Sequence, residues 1–469
     1  MTNPTARRIH RVEERIDAVE TGLLPAVLIR GRYHRMDLRE RMAHYKVPAL
    51  GVAVINEGRI EWAKGYGVLE AGGAQPADDR TLFQAGSLSK PLTAVVALQF
   101  VERGLIDLDE NVNNRLVSWK IPENPLTQGH PVTLRWLLSH RAGLSAQQVF
   151  GHPPGAQRPT LLQILDGLPP SPNPPVRVER TPGETFAYSN FGYCIVEQLL
   201  VDVAKRSFPD LMRDSVLRPL AMKSSTFERP LPRRLRNRAA HGHTSDGIPT
   251  ADWWLGEEMA AAGGLWATPS DLARFAIEIQ SAYRGASQKV LSQEMIRAML
   301  TPQRGGPTGL GVFVEGSGPS LRFRHSGTGQ GYQCEMVVYP GRAQGAVVMT
   351  NSDSGHMLVT EVLGAIASVY GWPDFLAEKT VVDIGTEQLM RYAGTYDLGL
   401  LEIVVSIERG KLFADTAFYG KHEMYAESER DFFLIDLPAR FTFVADSDAG
   451  GAPEMLLRIW GAELRGRRK

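Results

Sequence analysis

Ser87-Leu88-Ser89-Lys90 stands directly before Pro91 and a run of mostly apolar residues from Leu92 to Val101. Such a run reads as a buried helix. Proline is tolerated there only in the first turn, where its missing N–H has no helical partner. The helix is therefore expected to start at about Ser87 and to cover residues 87–103. Positions i and i+3 then lie on one face, one turn apart. That spacing brings the Ser87 hydroxyl and the Lys90 amine together at a helix N-terminus, where unpaired N–H groups and the macrodipole favour negative charge. An amine so placed takes the serine proton and leaves a nucleophile suited to acyl transfer through an acyl-serine. Acting as a base requires Lys90 to be neutral, hence a depressed pKa, through burial or a neighbouring cation or hydrogen-bond network. Ser89 has Leu92 as its i+3 partner and is the poorer nucleophile. An N-cap serine followed by a solvated lysine has the same four letters, so the rest of the chain must decide.

Downstream stand Tyr188-Ser189-Asn190 and His325-Ser326-Gly327. This ordered triple, S-x-x-K, Y-x-N and H-x-G, resembles the serine β-lactamase and penicillin-binding protein superfamily. It is most similar to the class C branch, with its D-aminopeptidases and β-lactamase-like carboxylesterases. Leu137-Leu138-Ser139-His140-Arg141-Ala142-Gly143-Leu144, Pro182-Gly183-Glu184 and Ala261-Ala262-Gly263-Gly264-Leu265-Trp266 also resemble stretches of that family. The likeness covers roughly residues 38 to 370.

The resemblance implies an α/β (α+β) fold, with a β-lactamase/transpeptidase-like antiparallel sheet flanked by helices and a helical lobe. It implies Ser87 as nucleophile, with Lys90 and Tyr188 sharing the proton transfers. Asn190 would hold the substrate's acyl-side carbonyl and help fix Lys90. The oxyanion hole would be the backbone N–H groups of Ser87 and Thr328, with Gly327, Gly329 and Gly331 permitting close approach of that strand. His325 is the departure, because many relatives carry lysine there as a fixed cation for a substrate carboxylate. A histidine titrates near neutrality and is shorter, which disfavours efficient β-lactam hydrolysis. The expected activity is therefore a cofactor-free carboxylesterase acting on a small ester or amide. D-aminopeptidase or amidase activity, then β-lactamase, are the alternatives, and a non-catalytic binding protein is the rival of another class. No G-x-S-x-G elbow, Walker A or H-E-x-x-H motif occurs.

Lys+Arg and Asp+Glu both number 52, so the chain lacks the basic excess of a nucleic-acid binder. No apolar run reaches the roughly 18 residues of a membrane-spanning helix. Met1 to Glu20 is charged and has no apolar core of a secretory signal, so a cytoplasmic location is expected. Oligomeric state is not legible. Cys194 and Cys334 are expected to be buried free thiols, a disulfide being the alternative. His241-Gly242-His243 has the look of a ligand pair, but no further Cys, His or Asp cluster accompanies it, and no metal is expected. Trp253-Trp254 reads either as a wall beside the cleft or as packing.

Ile9, Val12, Ile16 and Val19 predict an amphipathic helix over 6–21. Leu38 to His44 reads as a second helix, followed by strands 49–55 and 59–68 around Asn56-Glu57-Gly58. The proline-rich stretch 152–182 reads as largely extended loop. Strands at 335–340 and 345–349 precede a helix at 356–370. After a composition shift at 371–385, short alternating segments at 392–396, 401–405, 412–414, 432–437, 441–444 and 455–460 predict a small antiparallel barrel. Tyr392-Ala393-Gly394-Thr395-Tyr396 resembles the opening of a lipocalin-like C-terminal domain found on several relatives. The expected organisation is a hydrolase domain over 1–375 and a barrel over 386–469.

Overall fold

The computed structural model describes residues 4–32, 35–145, 155–251, 259–399, 401–416, 420–444, 452–459 and 462–469. Trp253-Trp254, Pro153-Pro154 and the Gly450-Gly451 turn lie outside the described residues. Contacts divide the chain into two units. One is Arg41–Val359, and the other joins Met1–Glu40 to Thr360–Lys469.

In the first unit, Ala49–Asn56 (β1) and Arg59–Gly67 (β2) pair antiparallel. The turn between them holds Glu57 and Gly58 at φ 53° and 73°, the left-handed pair that matches the twist of a tight hairpin. β1 continues into a six-stranded antiparallel sheet with Phe313–Glu315 (β3), Arg322–Gly329 (β4), Tyr332–Tyr339 (β5) and Gln344–Thr350 (β6), in the order β2-β1-β6-β5-β4-β3. β1 is buried from Ala49 to Ile55, as a strand covered on both faces must be. The helix Pro269–Tyr283 packs on β1, β2 and β6. Gly51 makes room for this, since a Cβ there would lie 2.8 Å from Pro269 and 2.9 Å from Phe83.

The helix after the S-x-x-K motif, Ser89–Glu102 (α1), is buried at every residue from Ser89 to Phe100. A helix apolar on all sides belongs inside a core. It begins two residues later than expected. Ser87 lies in the 3₁₀ turn Gly86–Leu88 that leads into it, so the serine stands at the entry of the helix and not on its first α turn. Between α1 and Asn190, the described residues of the stretch read as extended loop include a short helix, Leu161–Asp166. Thr160 and Gln163 start it as a reciprocal capping box, and Gly167 at φ 63° ends it.

The second unit contains a closed eight-stranded antiparallel barrel running from Gly394–Asp397 to Ala462–Arg468. Its strands alternate; in Glu402–Glu408 the buried residues are Ile403 and Val405, flanked by exposed Glu402 and Val404. Tyr392 stacks on Phe443 with ring centres 4.6 Å apart, and Tyr396 is wholly buried. Two strands had not been expected, Gly420–Ala426 and Ala462–Arg468. The helix Pro4–Glu20 and the strand Val27–Ile29, paired in parallel with Ala377–Lys379, belong to the same unit.

Among the described residues no helix is long and apolar enough to cross a membrane. Both cysteines are free and buried, and burial raises both thiols above their ordinary range. Ellman's reagent is therefore expected to find almost no reactive thiol in the native protein and two per chain in guanidinium; fast native labelling would contradict the packing.

Candidate active site

Ser87, Lys90, Tyr188 and Asn190 meet. Lys90 Nζ lies 2.9 Å from Ser87 Oγ, 2.7 Å from Asn190 Oδ1 and 2.9 Å from the Ala262 carbonyl oxygen. The Tyr188 hydroxyl donates to Ser87 Oγ at 2.9 Å. Lys90 itself has no exposed surface. An amine taken from water needs its N–H groups satisfied. Three separate segments meet that need: the turn before α1, the first residue of the helix Asn190–Ala204 (α2), and the short helix Ala260–Gly263 (α3).

Local sequence explains how each segment is held. Gly86 has φ 50°, and a Cβ on it would come within 2.6 Å of the Thr328 carbonyl oxygen and 2.8 Å of its nitrogen. A Cβ on Gly327 would lie 2.0 Å from the Ala85 carbonyl oxygen. Glycine at both places lets β4 run against the turn that carries Ser87, which brings the Thr328 main chain to the nucleophile's neighbourhood. Ser89 is buried and spent on structure. Its hydroxyl donates to the Gly86 carbonyl at 2.7 Å and accepts from the Leu265 N–H at 3.0 Å. Ser189 caps α2 by accepting from the Gly192 N–H.

His140 is a participant that motif reading did not single out. It is buried, has φ 57°, and accepts the Ser189 N–H on Nδ1 at 3.1 Å, while its carbonyl takes the Ala187 N–H at 2.8 Å. Its ring stacks on Tyr188 with centres 4.2 Å apart. A left-handed backbone at a non-glycine residue is uncommon, and here it turns the imidazole under the tyrosine. Tyr193 is a second ring near the amine. Lys90 Nζ is 5.0 Å from the Tyr188 ring centre and 5.5 Å from that of Tyr193. Phe313 completes an aromatic wall, 6.4 Å from the Tyr188 ring and 5.5 Å from His325.

His325 corrects the expectation of a group titrating near neutrality. It is 2% exposed, and its Nδ1 lies 2.6 Å from the Ser326 carbonyl oxygen. Burial first, then the charge of Lys90, push its pKa down to about 3. His140 is pushed well below its ordinary value by burial, Lys90 and His325. Both imidazoles are therefore neutral at physiological pH. Desolvation raises the Tyr188 phenol and the Ser87 hydrogen bond opposes it. The residue is 42% exposed, so water reaches that edge, and the resting phenol is protonated.

The His241–His243 pair is engaged elsewhere. His243 is wholly buried, its Nε2 accepts the Ala71 N–H at 3.0 Å, and its Nδ1 is 3.0 Å from the Asn351 carbonyl oxygen. His241 lies 3.1 Å from Glu70. Among the described residues no cluster of three or more His, Cys, Asp or Glu side chains is grouped to hold a metal ion.

A family model described as Beta-lactamase matches residues 36–370. Penicillin-binding protein 4* of Bacillus subtilis is 25% identical over 422 residues, covering 84% of this chain and 89% of that relative. Among solved structures, an octameric penicillin-binding protein homologue from Pyrococcus abyssi matches with a TM-score of 0.61 at 20% identity, over 91% of this chain and 98% of that one. The D-amino acid amidase of Ochrobactrum anthropi SV3 complexed with D-phenylalanine matches with a TM-score of 0.60 at 20% identity, over 76% and 98%. These structural likenesses show the fold.

Two outcomes test the site's geometry. Gly327→Ala is expected to push β4 from the Ser87 turn and to lower acylation by p-nitrophenyl acetate about 10²–10³-fold, the usual cost of an oxyanion donor; an unchanged stopped-flow burst would refute the close approach. The His325 ring resonances are expected not to titrate between pH 5 and 8 in NMR, and a midpoint inside that range would contradict the burial.

Proposed function

The chain belongs to the beta-lactamase family of serine hydrolases, and from that premise we propose that it is a carboxylesterase-type enzyme cleaving a small neutral ester or amide through an acyl-Ser87 intermediate. One observation carries the reading: Ser87 Oγ is 2.9 Å from both Lys90 Nζ and the Tyr188 hydroxyl.

In this reading Lys90 gives up its charge before attack, and the neutral amine directs its two N–H groups at Asn190 Oδ1 and the Ala262 carbonyl, neither of which can donate. Its lone pair is then left for the Ser87 proton. Ser87 Oγ attacks the substrate carbonyl carbon, and the oxyanion forms against the N–H groups of Ser87 and Thr328. Tyr188, protonated at rest, gives its proton to the leaving group as that group's bond to the carbonyl carbon breaks, and is left as a phenolate beside the Lys90 ammonium. Water, or another acceptor alcohol or amine, enters on the same side and gives its proton to the Tyr188 phenolate as its own bond to the acyl carbon forms. The acyl bond to Ser87 Oγ then breaks, Lys90 returns its proton to Ser87 Oγ, and the acid or transfer product leaves with all three groups restored. In the same reading Asn190 also donates through its amide nitrogen to the acyl chain's carbonyl.

His325 supports the preference for neutral substrates. A buried neutral imidazole beside Phe313 supplies no cation for a carboxylate next to the scissile bond. We read residues 1–375 as the hydrolase part and 386–469 as an appended barrel, although contacts group Met1–Glu40 and the residues from Thr360 onward with the barrel's unit.

A fluorophosphonate probe is expected to label the wild type and not Ser87→Ala. Lys90→Ala and Tyr188→Phe are each expected to lower p-nitrophenyl butyrate turnover about 10²–10⁴-fold, as for general acid–base groups, with thermal unfolding little changed. Near-wild-type turnover in either variant would refute its role. Faster cleavage of nitrocefin or of a D-amino-acid anilide than of the butyrate ester would overturn the substrate class.

A further inference from the structure

Glu197 is a buried carboxyl that the proposed chemistry does not use. It stands on α2, two turns after Asn190, and is 7% exposed. Its Oε2 accepts the Ala261 N–H at 2.8 Å, and the neighbouring Ala260 N–H also favours its charged form. Both N–H groups belong to α3, and the next residue, Ala262, carries the carbonyl that receives Lys90 Nζ. Thr93 Oγ1 of α1 donates to the Ala261 carbonyl at 3.2 Å, a second hold on the same residue.

α3 is four residues long and offers few bonds of its own, so what holds its first turn sets where the Ala262 oxygen stands. That oxygen is one of two obligatory acceptors on the amine. Moving it rotates the amine and swings its lone pair off Ser87. Resting on the proposed acyl-serine reading, we propose that Glu197 is a positioning residue that aims Lys90 at Ser87 through α3, and that it does so best when ionised. A carboxylate accepts an N–H bond, here that of Ala261, more strongly than a neutral carboxyl does.

Burial pushes the Glu197 pKa up to about 7, against the opposing pull of the Ala261 N–H, Arg229 and the Ala260 N–H. The other groups facing it are Cys194 on α2, whose thiol burial and Glu197 keep protonated, and Lys90 on α1, whose charge reaches Cys194. Below pH 7 the carboxyl is neutral and its hold on α3 weakens; above pH 7 it is charged and the hold is complete. The ester rate thus gains a limb that rises with pH through about 7.

The test is Glu197→Gln, which keeps the size and removes the charge. Expected are a kcat on p-nitrophenyl butyrate lowered about 10²-fold, as for a misplaced reacting group, a KM close to wild type, and loss of the limb near pH 7. Glu197→Asp draws the charge back by one methylene. It is expected to lose kcat and keep the limb, which covers the case of a Gln variant that folds poorly. Crystal structures of wild type and Glu197→Gln at pH 5 and 9 separate this idea from the acyl-serine reading. A Lys90–Ala262 contact that lengthens on neutralising Glu197 supports positioning even if no ester is cleaved. A contact unchanged in every structure, or a wild-type kcat and pH limb in Glu197→Gln, overturns it.

Discussion

The complete burial of the Lys90 amine is the constraint around which this site is arranged. A lysine nitrogen withdrawn from water is costly unless acceptors replace the solvent. Its partners come from a turn, from the start of one helix and from the carbonyl of another, 3, 100 and 172 residues away along the chain. Each partner must then be fixed in turn. Ser89 ties Leu265 to Gly86, Ser189 starts the helix carrying Asn190, and Glu197 grips the residues before Ala262. The nucleophile's surroundings follow from satisfying one nitrogen.

The electrostatic consequence is a site of unlike partners. Lys90 lowers the pKa of both buried imidazoles, His140 and His325, and burial does the larger part. Imidazoles in a low-dielectric pocket beside an amine stay neutral, and desolvation alone keeps the Tyr188 phenol protonated. The histidine in the H-x-G motif is therefore an apolar wall with a polar edge, which is a different recognition surface from a lysine at the same place.

Much of this was legible in advance. The hairpin at Asn56–Arg59, the i, i+3 pairing of Ser87 with Lys90 and the place of Pro91 in the first helical turn rest on local stereochemistry, and the structure has them. The barrel was legible where apolar residues alternate, as in Ile403 and Val405. The strands Gly420–Ala426 and Ala462–Arg468 were missed because Lys421, His422, Glu423 and a run of arginines mask the period; pairing with neighbours, not pattern, makes them strands. The helix Leu161–Asp166 was hidden by surrounding prolines, although Thr160 and Gln163 announce its capping box. His140 was visible as part of a motif, but its stacking under Tyr188 depends on a left-handed backbone that no letter in its neighbourhood demands.

What the sequence by itself determined is the spacing of reactive groups within each segment, because those distances depend on helix and turn geometry within a few residues. Only the tertiary structure decided which groups are charged, which carbonyl completes the amine's shell, and how closely β4 approaches Ser87. Those properties depend on desolvation and on contacts between segments remote in the chain, and neither is encoded in any local stretch.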